Sequence, residues 1–402
     1  AMASSWNPDL VQNIYEVVGK DIRSRGAHQA LTPVVDIVRE PRWGRIEETF
    51  GEDPYLTSRF SVASVRGLQG DATFDDNDHV ISTLKHMTGH GQPQSGTNIG
   101  PATFGERNLR ELFFPPFEAA IKEANALSVM ASYNEIGGMP SHTNRWMLHD
   151  VLREEWGFDD VIVSDWFAVY ELISRHSVAR DSAHAARQAL DATVDIDLPN
   201  GRSYPTLLEQ VQNGVVAEAA IDRAVRRLLR AKVMMGLFDD PDVGPDTAAA
   251  VAGAESQRPL ALEAAQQGIT LLKNEGDMLP LDPDEYENIA VIGPHAAEVL
   301  LGGYASRPRH TVSIYEGVQE ELDDVSVEYA EGVRITEDSV FTDAPQPHMD
   351  GERSRARNSA HKVVRADSAA NEARIREAVA LARQSDLAIV AVSESTLSNE
   401  RL

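Results

Sequence analysis

Short runs of β-branched and aliphatic residues alternate with longer helix-like segments through the first two-thirds of this 402-residue chain. Asn7-Pro8 and Asp53-Pro54 each place a capping side chain before a first-turn proline, which indicates two helix starts. Strands that are separated by helices are typical of βαβ units, so the pattern predicts a parallel sheet. The predicted strands of this part cover residues 31–38, 79–84, 127–132, 161–164 and 193–198.

The spacing of these strands fits a (β/α) barrel over residues 1–238 that lacks its opening. An open, doubly wound sheet is the alternative on pattern alone. Residues 239–254 are rich in Asp, Pro, Gly and Ala, which is typical of a linker. Residues 255–402 contain a second α/β series without a closing helix, so we expect this domain to be cut short as well. Its predicted strands cover residues 269–272, 288–292, 325–329 and 387–392.

The composition excludes several classes of site and partner. The chain has no cysteine, which rules out disulfides, thiolate metal sites and cysteine nucleophiles. Its formal net charge of -26 argues against nucleic acid, whose binding depends on clustered Lys and Arg. No stretch approaches the roughly 20 apolar residues that span a bilayer, and we expect no membrane partner. The sequence leaves the oligomeric state open.

The acidic residues outnumber the basic ones by 63 to 37, and most of the basic residues are Arg. Such a surface resembles that of proteins adapted to high salt, because the screening length falls to about 3 Å at 1 M salt and mutual repulsion is weak there. An ordinary acidic protein is the alternative. The first residues already look like the middle of a domain, so the absence of a signal-like segment says little about location.

One predicted strand ends in a carboxylate next to an indole. Residues 161–163 (Val-Ile-Val) favour a strand that is covered on both faces, and Ser164-Asp165-Trp166 follow it directly. In α/β proteins, chemistry collects at the carboxyl ends of such strands. Asp165 is therefore a candidate nucleophile, and Trp166 can stack on a sugar ring. The alternative is that Asp165 caps the helix-like segment after it.

Polar and aromatic side chains also follow the neighbouring predicted strands. Where such strand ends converge, acidic, basic and aromatic groups form a pocket that suits a neutral polyhydroxylated ligand. No glycine-rich phosphate loop and no convincing metal motif accompanies them, so we expect no cofactor and no metal. The candidate side chains at these ends are those of Arg45, Lys85, His86 and Tyr133.

The segment 41–45 (Pro-Arg-Trp-Gly-Arg) has two possible interpretations. Its arginines either bind a polyol or pack on the indole of Trp43. The packing interpretation suits Arg42, and the binding interpretation suits Arg45. The acids at 47–53 are placed to pair with these arginines and to hold the loop rigid.

Five motifs extend these strand ends. They are residues 41–45 with 48–54, Lys85-His86 with 89–91, Glu106-Arg107 with 115–117, residues 128–134, and Ser164-Asp165-Trp166. With them the chain resembles the family 3 glycoside hydrolases, which include β-glucosidases and β-xylosidases, over nearly all of residues 3–238. The second domain matches more loosely, through residues 268–274, 279–281 and 289–294.

The resemblance implies a TIM-like barrel followed by an α/β sandwich, and an exo-acting retaining enzyme that removes terminal β-D-glucosyl or β-D-xylosyl residues from a β-linked oligosaccharide or glycoside. It implies that Asp165 is the nucleophile. The nearest match to the family's general acid/base, which comes from a second-domain loop, is Glu400. The resemblance further implies that Arg45, Lys85 and His86 bind sugar hydroxyls and that Met130, Tyr133 and Trp166 line the same subsite.

Two other readings of the residues stay open. A non-catalytic sugar-binding protein, or an inactive fragment of such an enzyme, would keep the binding groups without a working acid. An aldolase-like enzyme would need a Schiff-base lysine, for which Lys85 is the candidate. The resemblance also implies an opening strand and helix before residue 1 and a longer sandwich after residue 402, so we expect a fragment with little activity.

Overall fold

The structure, a computed structural model, describes residues 2–239, 241–302, 304–305, 308–322, 324–336 and 365–392. Its chain contacts form two units, the first ending at Thr270 and the second beginning at Leu271. Within the described ranges, no helix combines the length and the apolar character that crossing a bilayer requires.

The first unit is built on a parallel sheet in which four strands follow one another in chain order. Isolated bridges between Val34 and Lys85, and between Val163 and Ile196, extend the pairing. The order of the described strands never reverses, as it would in a doubly wound sheet, so the predicted (β/α) barrel is confirmed. The sheet contains β1 (Gln29–Ala30), β2 (Ile81–Met87), β3 (Ser128–Ala131) and, after a small hairpin of β4 (Glu135–Ile136) and β5 (Met139–Pro140), β6 (Val161–Val163).

Helices fill the connections between these strands, and their starts follow the capping signals. The side chain of Asn7 accepts the backbone N–H of Leu10, and that of Asp53 accepts the backbone N–H of Leu56. The helices are α1 (Pro8–Ser24), α2 (Pro54–Gln69), α3 (Glu106–Asn108), α4 (Pro115–Ala124), α5 (Ala168–Ser174), α6 (Ser182–Asp191), α7 (Leu207–Gln212), α8 (Glu218–Met234), α9 (Pro245–Val251) and α10 (Arg258–Gly268), with π-helical segments at Leu109–Phe113 and Trp146–Glu155.

Proline residues explain a helix break at 115 and the limited strand pairing at 31–38. The predicted break at Pro115-Pro116 is confirmed, because the π-helical segment ends at Phe113 and a new helix begins at Pro115. The strand predicted at 31–38 is reduced to an isolated bridge at Val34, and the strand that pairs with β2 here is β1, which ends just before that range. Pro33 has no N–H to donate there, although its carbonyl accepts the N–H of Lys85.

The second unit contains a three-stranded parallel sheet in the order β8-β7-β9, formed by β7 (Asn288–Ile292), β8 (Ser326–Ala330) and β9 (Leu387–Val390). Two helices accompany it, α11 (Ile314–Glu321), which Ser313 and Glu316 start with a reciprocal capping box, and α12 (Ser368–Gln384). The predicted strands near 288, 325 and 387 are confirmed. Together the two units are the barrel and the α/β sandwich domain that the sequence predicts.

The predicted strand at 269–272 is wrong. These residues pair with no strand of the described part of the chain, and the side chain of Leu272 is 91% exposed. A short apolar run indicates burial by composition alone, and no strand among the described residues lies beside it to form a pair. The predicted linker at 239–254 contains the short helix α9, and α10 packs against Met2–Ser5 in the first unit. The division of the chain at 254 therefore stays a prediction.

Candidate active site

The candidate nucleophile lies directly after β6 and is fixed by backbone contacts. The N–H of Trp166 donates to Oδ1 of Asp165 over 2.7 Å. The backbone N–H of Asp165 donates to Nε2 of the buried His142 over 3.1 Å. Helix α5 begins only at Ala168 and has no side-chain cap. The carboxylate of Asp165 is therefore held at the strand end and does not cap the helix.

The second oxygen of this carboxylate has a different environment. Oδ2 of Asp165 is buried and has no hydrogen-bond partner among the described residues, and Nε2 of His86 lies 3.7 Å from it. Burial raises the pKa of Asp165, and this effect is opposed by the N–H of Trp166 and then by the charges of Arg45 and Lys85. Oδ2 is thus a buried carboxylate oxygen that is available to a reaction partner.

Arg45 lies beside this carboxylate, held in place by three side chains. Its Nε and Nη2 donate to the two carboxylate oxygens of Glu48 over 2.7 and 2.9 Å. Nη2 also lies 3.2 Å from Nε2 of His86, and Nη1 lies 3.3 Å from Nε2 of His90. The predicted pairing of the loop acids with an arginine is confirmed at Glu48. A bidentate carboxylate pair fixes the plane of the guanidinium.

Trp43 separates the two arginines of the 41–45 segment. Its ring is buried, and the guanidinium carbon of Arg45 lies 5.6 Å from the ring centroid. Arg42 is exposed instead and pairs with Glu40 over 2.8 Å. The prediction that Arg42 packs on the indole is therefore wrong, because the guanidinium next to Trp43 is that of Arg45. The indole also meets the ring of His90 edge-on, with 5.0 Å between the ring centroids.

His86 is engaged at both ring nitrogens. Nδ1 lies 2.8 Å from Oδ2 of Asp36, and the backbone N–H of His86 donates to the same oxygen over 3.0 Å. On the opposite side, Nε2 meets Arg45. Burial lowers the pKa of His86 well below its usual range, and the charge of Arg45 lowers it further. The imidazole is therefore neutral in this site.

Lys85 and Tyr133 also approach the carboxylate. Burial lowers the pKa of Lys85, as does the charge of Arg45, and the charge of Asp165 raises it. The hydroxyl of Tyr133 donates to the carbonyl of Trp166 over 2.8 Å, and this places the half-buried phenol at the end of β6. Lys85 and Arg45 together favour the ionised form of Asp165.

The structure does not test the predicted roles of two site residues, Met130 and Glu400. Met130 is 2% exposed and belongs to an apolar cluster with Val161 and Val163, against which Ile196 packs. A role of Met130 in lining the sugar subsite stays a prediction. Glu400 lies outside the described residues. The structure brings together the remaining predicted residues at the strand ends: Arg45, Lys85, His86, Tyr133, Asp165 and Trp166.

The sequence analysis missed Asp36 and His142. Asp36 interrupts the apolar run at 34–38, and a lone carboxylate in a strand-like segment was the signal for it. Its side chain is buried, and burial raises its pKa to about 7 despite the His86 N–H and the Arg45 charge. No sequence pattern points to His142. Among the described residues, no group of acidic or imidazole side chains is arranged to hold a metal ion.

Comparison with known proteins decides the family. The sequence profile described as "Glycosyl hydrolase family 3 N terminal domain" matches residues 1–231, and the profile of the C-terminal domain of the same family matches residues 269–402. The chain belongs to glycosyl hydrolase family 3. This assignment agrees with the barrel, the sandwich domain and the cluster of strand-end residues.

Named relatives of this family 3 chain are similar over most of its length. A β-xylosidase of Formosa agariphila is 40% identical, with 83% of this chain and 49% of the relative covered. A β-glucosidase structure from Erythrobacter marinus has a TM-score of 0.88 and 38% identity, with 97% of this chain and 51% of the other covered. A Listeria innocua β-glucosidase in complex with glucose has a TM-score of 0.83 and 28% identity, with coverages of 100% and 51%. The chain spans about half the length of the curated relatives it matches.

Proposed function

We propose that this family 3 protein is a retaining exo-β-glycosidase that removes terminal β-D-glucosyl or β-D-xylosyl residues. Support comes from the relatives, of which one is named a β-xylosidase and another is a β-glucosidase whose structure holds glucose. The single observation that carries the proposal is Oδ2 of Asp165, a buried carboxylate oxygen at a barrel strand end that accepts no hydrogen bond from the described residues and lies beside Arg45, Lys85 and His86.

In the proposed reaction, Asp165 acts first as a nucleophile. Oδ2 attacks the anomeric carbon while Glu400 gives its proton to the leaving oxygen, so the glycosidic bond breaks and a glycosyl ester forms. Water then attacks the same carbon, gives a proton to Glu400 and releases the Asp165 carboxylate. Two inversions leave the sugar with its original configuration.

The cationic side chains of the site have a second task. Arg45 and Lys85 favour the ionised form of Asp165 against the effect of burial, and both are hydrogen-bond donors that suit sugar hydroxyls. Trp166 presents a flat, half-buried ring next to the nucleophile, which suits stacking on a sugar face. We expect Arg45→Ala to raise KM and lower kcat, because it would remove a hydroxyl donor and a charge that stabilises the carboxylate.

The Asp165→Ala variant tests the nucleophile. Hydrolysis of an aryl β-glycoside should fall by about 10⁴-fold or more, because loss of a covalent nucleophile removes most of the chemical step. Added azide should restore turnover and yield a glycosyl azide of inverted configuration. Asp222→Ala, which changes an exposed residue of α8, is the matched control and should keep wild-type kcat. Undiminished hydrolysis in Asp165→Ala would refute the assignment.

The acid/base assignment needs a separate test. Glu400→Gln should lower kcat/KM far more for aryl glycosides with poor leaving groups than for those with good ones, because kcat/KM reports the first step and only poor leaving groups need a proton there. Equal losses for both would remove Glu400 from the mechanism. Titration calorimetry with glucose and xylose tests the alternative that the protein binds sugars without hydrolysing glycosides. Binding by wild-type protein that hydrolyses none of a panel of aryl β-glycosides would favour that alternative.

A further inference from the structure

Asp36 and Arg45 act on opposite nitrogens of His86. Oδ2 of Asp36 accepts the backbone N–H of His86 and lies 2.8 Å from Nδ1. The guanidinium of Arg45 lies 3.2 Å from Nε2. A guanidinium is only a donor, so the nitrogen that faces it must be an acceptor. The neutral ring then carries its single proton on Nδ1, where a carboxylate oxygen accepts it.

The protonation state of Asp36 does not change this arrangement. Oδ1 of Asp36 is buried without a hydrogen-bond partner among the described residues, so a proton on the acid has a place that leaves Oδ2 free to accept. The charged and titratable groups that face His86 are Asp36, Arg45, His90, Lys85 and Asp165. Three of them, Arg45, His90 and Lys85, oppose a second proton on the ring.

The tautomer matters because of what Nε2 faces. It lies 3.7 Å from Oδ2 of Asp165, the oxygen for which the described part of the chain supplies no hydrogen bond. With hydrogen on Nε2, the ring would become a donor within reach of the nucleophilic oxygen after a small shift. A donor stabilises carboxylate charge and makes the oxygen a weaker nucleophile. With a lone pair on Nε2, Oδ2 keeps its charge for the anomeric carbon.

We propose that Asp36 is a positioning residue that holds His86 in the Nδ1–H tautomer and thereby keeps Oδ2 of Asp165 free of an imidazole donor. The proposal rests on the proposed function, in which Oδ2 is the attacking atom. It also revises the expected role of His86, because Nε2 in this tautomer accepts hydrogen bonds and cannot donate one to a sugar hydroxyl.

Nitrogen-15 NMR of the histidine-labelled full chain reads the tautomer directly and without substrate. His86→Gln assigns the signals of His86 by their disappearance from the spectrum. In wild-type protein near neutral pH, Nδ1 should be of the protonated type and Nε2 of the unprotonated type. The opposite pattern, or two protonated nitrogens, would overturn the proposal. This readout is independent of turnover, so a labelling experiment that finds no glycosyl ester on Asp165 would count against the proposed function and still leave the tautomer measurable.

Kinetics of two Asp36 variants supply the second readout. In Asp36→Ala, kcat for an aryl β-glycoside should fall about tenfold to hundredfold with little change in KM, the size expected for losing one charge-assisted hydrogen bond in the reaction. Asp36→Asn keeps a carbonyl oxygen that can accept both N–H groups of His86, and it should recover most of kcat. Wild-type kcat in Asp36→Ala, or equal losses in the two variants, would contradict the proposal. If Asp36→Ala fails to fold, the wild-type nitrogen-15 spectrum still shows which nitrogen of His86 carries the proton.

Discussion

At the scale of single residues, the two carboxylate oxygens of Asp165 have different environments and different roles. Oδ1 accepts the N–H of Trp166, which fixes the orientation of the group. Oδ2 is left buried and without a partner among the described residues. A buried acceptor without a hydrogen bond costs free energy, so its persistence at a strand end points to use in chemistry. The backbone of Asp165 depends in turn on His142.

We expect His142→Phe to lower both stability and kcat. The phenyl ring fills the space but leaves the backbone N–H of Asp165 without its acceptor, at a cost of about 1–3 kcal/mol. Burial lowers the pKa of His142 to about 3, so the native ring is a neutral hydrogen-bond acceptor near neutral pH. His142→Gln can place an oxygen near the position of Nε2 and should lie closer to wild type. Thermal unfolding and aryl glycoside kinetics measure both, and equal behaviour of the two variants would contradict this role.

The sequence predicted the strand-end residues from the strand-like runs before them. Lys85 and Asp165 directly follow such runs and Arg45 lies in the loop after another, so all three could be placed at one edge of a sheet from the sequence alone. Asp36 and His142 could not be placed, because their roles come from tertiary contacts. His142 meets the backbone of Asp165 across 23 positions of sequence, and no local spacing encodes such a pair.

At the scale of helices and strands, α1 and α2 pack so closely that no space is left for a side chain at Gly67. A Cβ atom at Gly67 would lie 2.4 Å from the carbonyl oxygen of Gln12 and 2.7 Å from Cβ of Tyr15. The absence of a side chain lets the two helices approach each other. Helix α1 was predicted from its cap and α2 from its proline start, but the closeness of their packing follows only from the structure.

Gly67→Ala should destabilise the protein by about 1–3 kcal/mol, the usual cost of overpacking a tight contact. Gly317→Ala is the matched control. Gly317 also lies within a helix, α11, and its added Cβ would meet only Val312 Cγ1 at 3.5 Å. Alanine favours helix there, so the control should be neutral or slightly more stable. Denaturant unfolding of both variants tests this, and a Gly67→Ala protein as stable as the control would contradict the packing.

Strand prediction succeeded where a partner strand is present and failed where none is described. The runs at 161–163 and 288–292 form parallel strands within a sheet. The run at 269–272 is similar in composition but is exposed and pairs with no strand that the structure describes. Apolar composition reports the tendency to be buried, whereas a strand also needs a neighbour with free hydrogen-bonding groups. Only the tertiary structure supplies that neighbour.

At the scale of the whole molecule, the net charge of -26 is the dominant electrostatic feature. Like charges on one folded chain repel each other and favour the expanded state. The screening length is about 10 Å at 0.1 M salt and about 3 Å at 1 M, so added salt weakens this repulsion. Adaptation of the protein to high salt stays a prediction, and the salt dependence of its stability tests it.

We expect the melting temperature to rise by several degrees when KCl is raised from 0.1 M to 2 M. Screening of the excess negative charge stabilises the folded state relative to the unfolded one. A sucrose series serves as the control, because a neutral osmolyte stabilises compact states without screening charge. A melting temperature that is constant or falls with KCl would show that charge repulsion does not limit the stability of this chain.

The central claim is that Oδ2 of Asp165 forms a covalent bond to the anomeric carbon of a β-glycoside. A 2-deoxy-2-fluoro-β-glycoside with a good leaving group slows the release of such an ester and allows it to accumulate. Peptide mass spectrometry of the treated protein should place one fluoroglycosyl group on Asp165, with no label in Asp165→Ala. A label on another residue, or hydrolysis of the probe's parent glycoside with no covalent intermediate and with inverted configuration, would contradict the account.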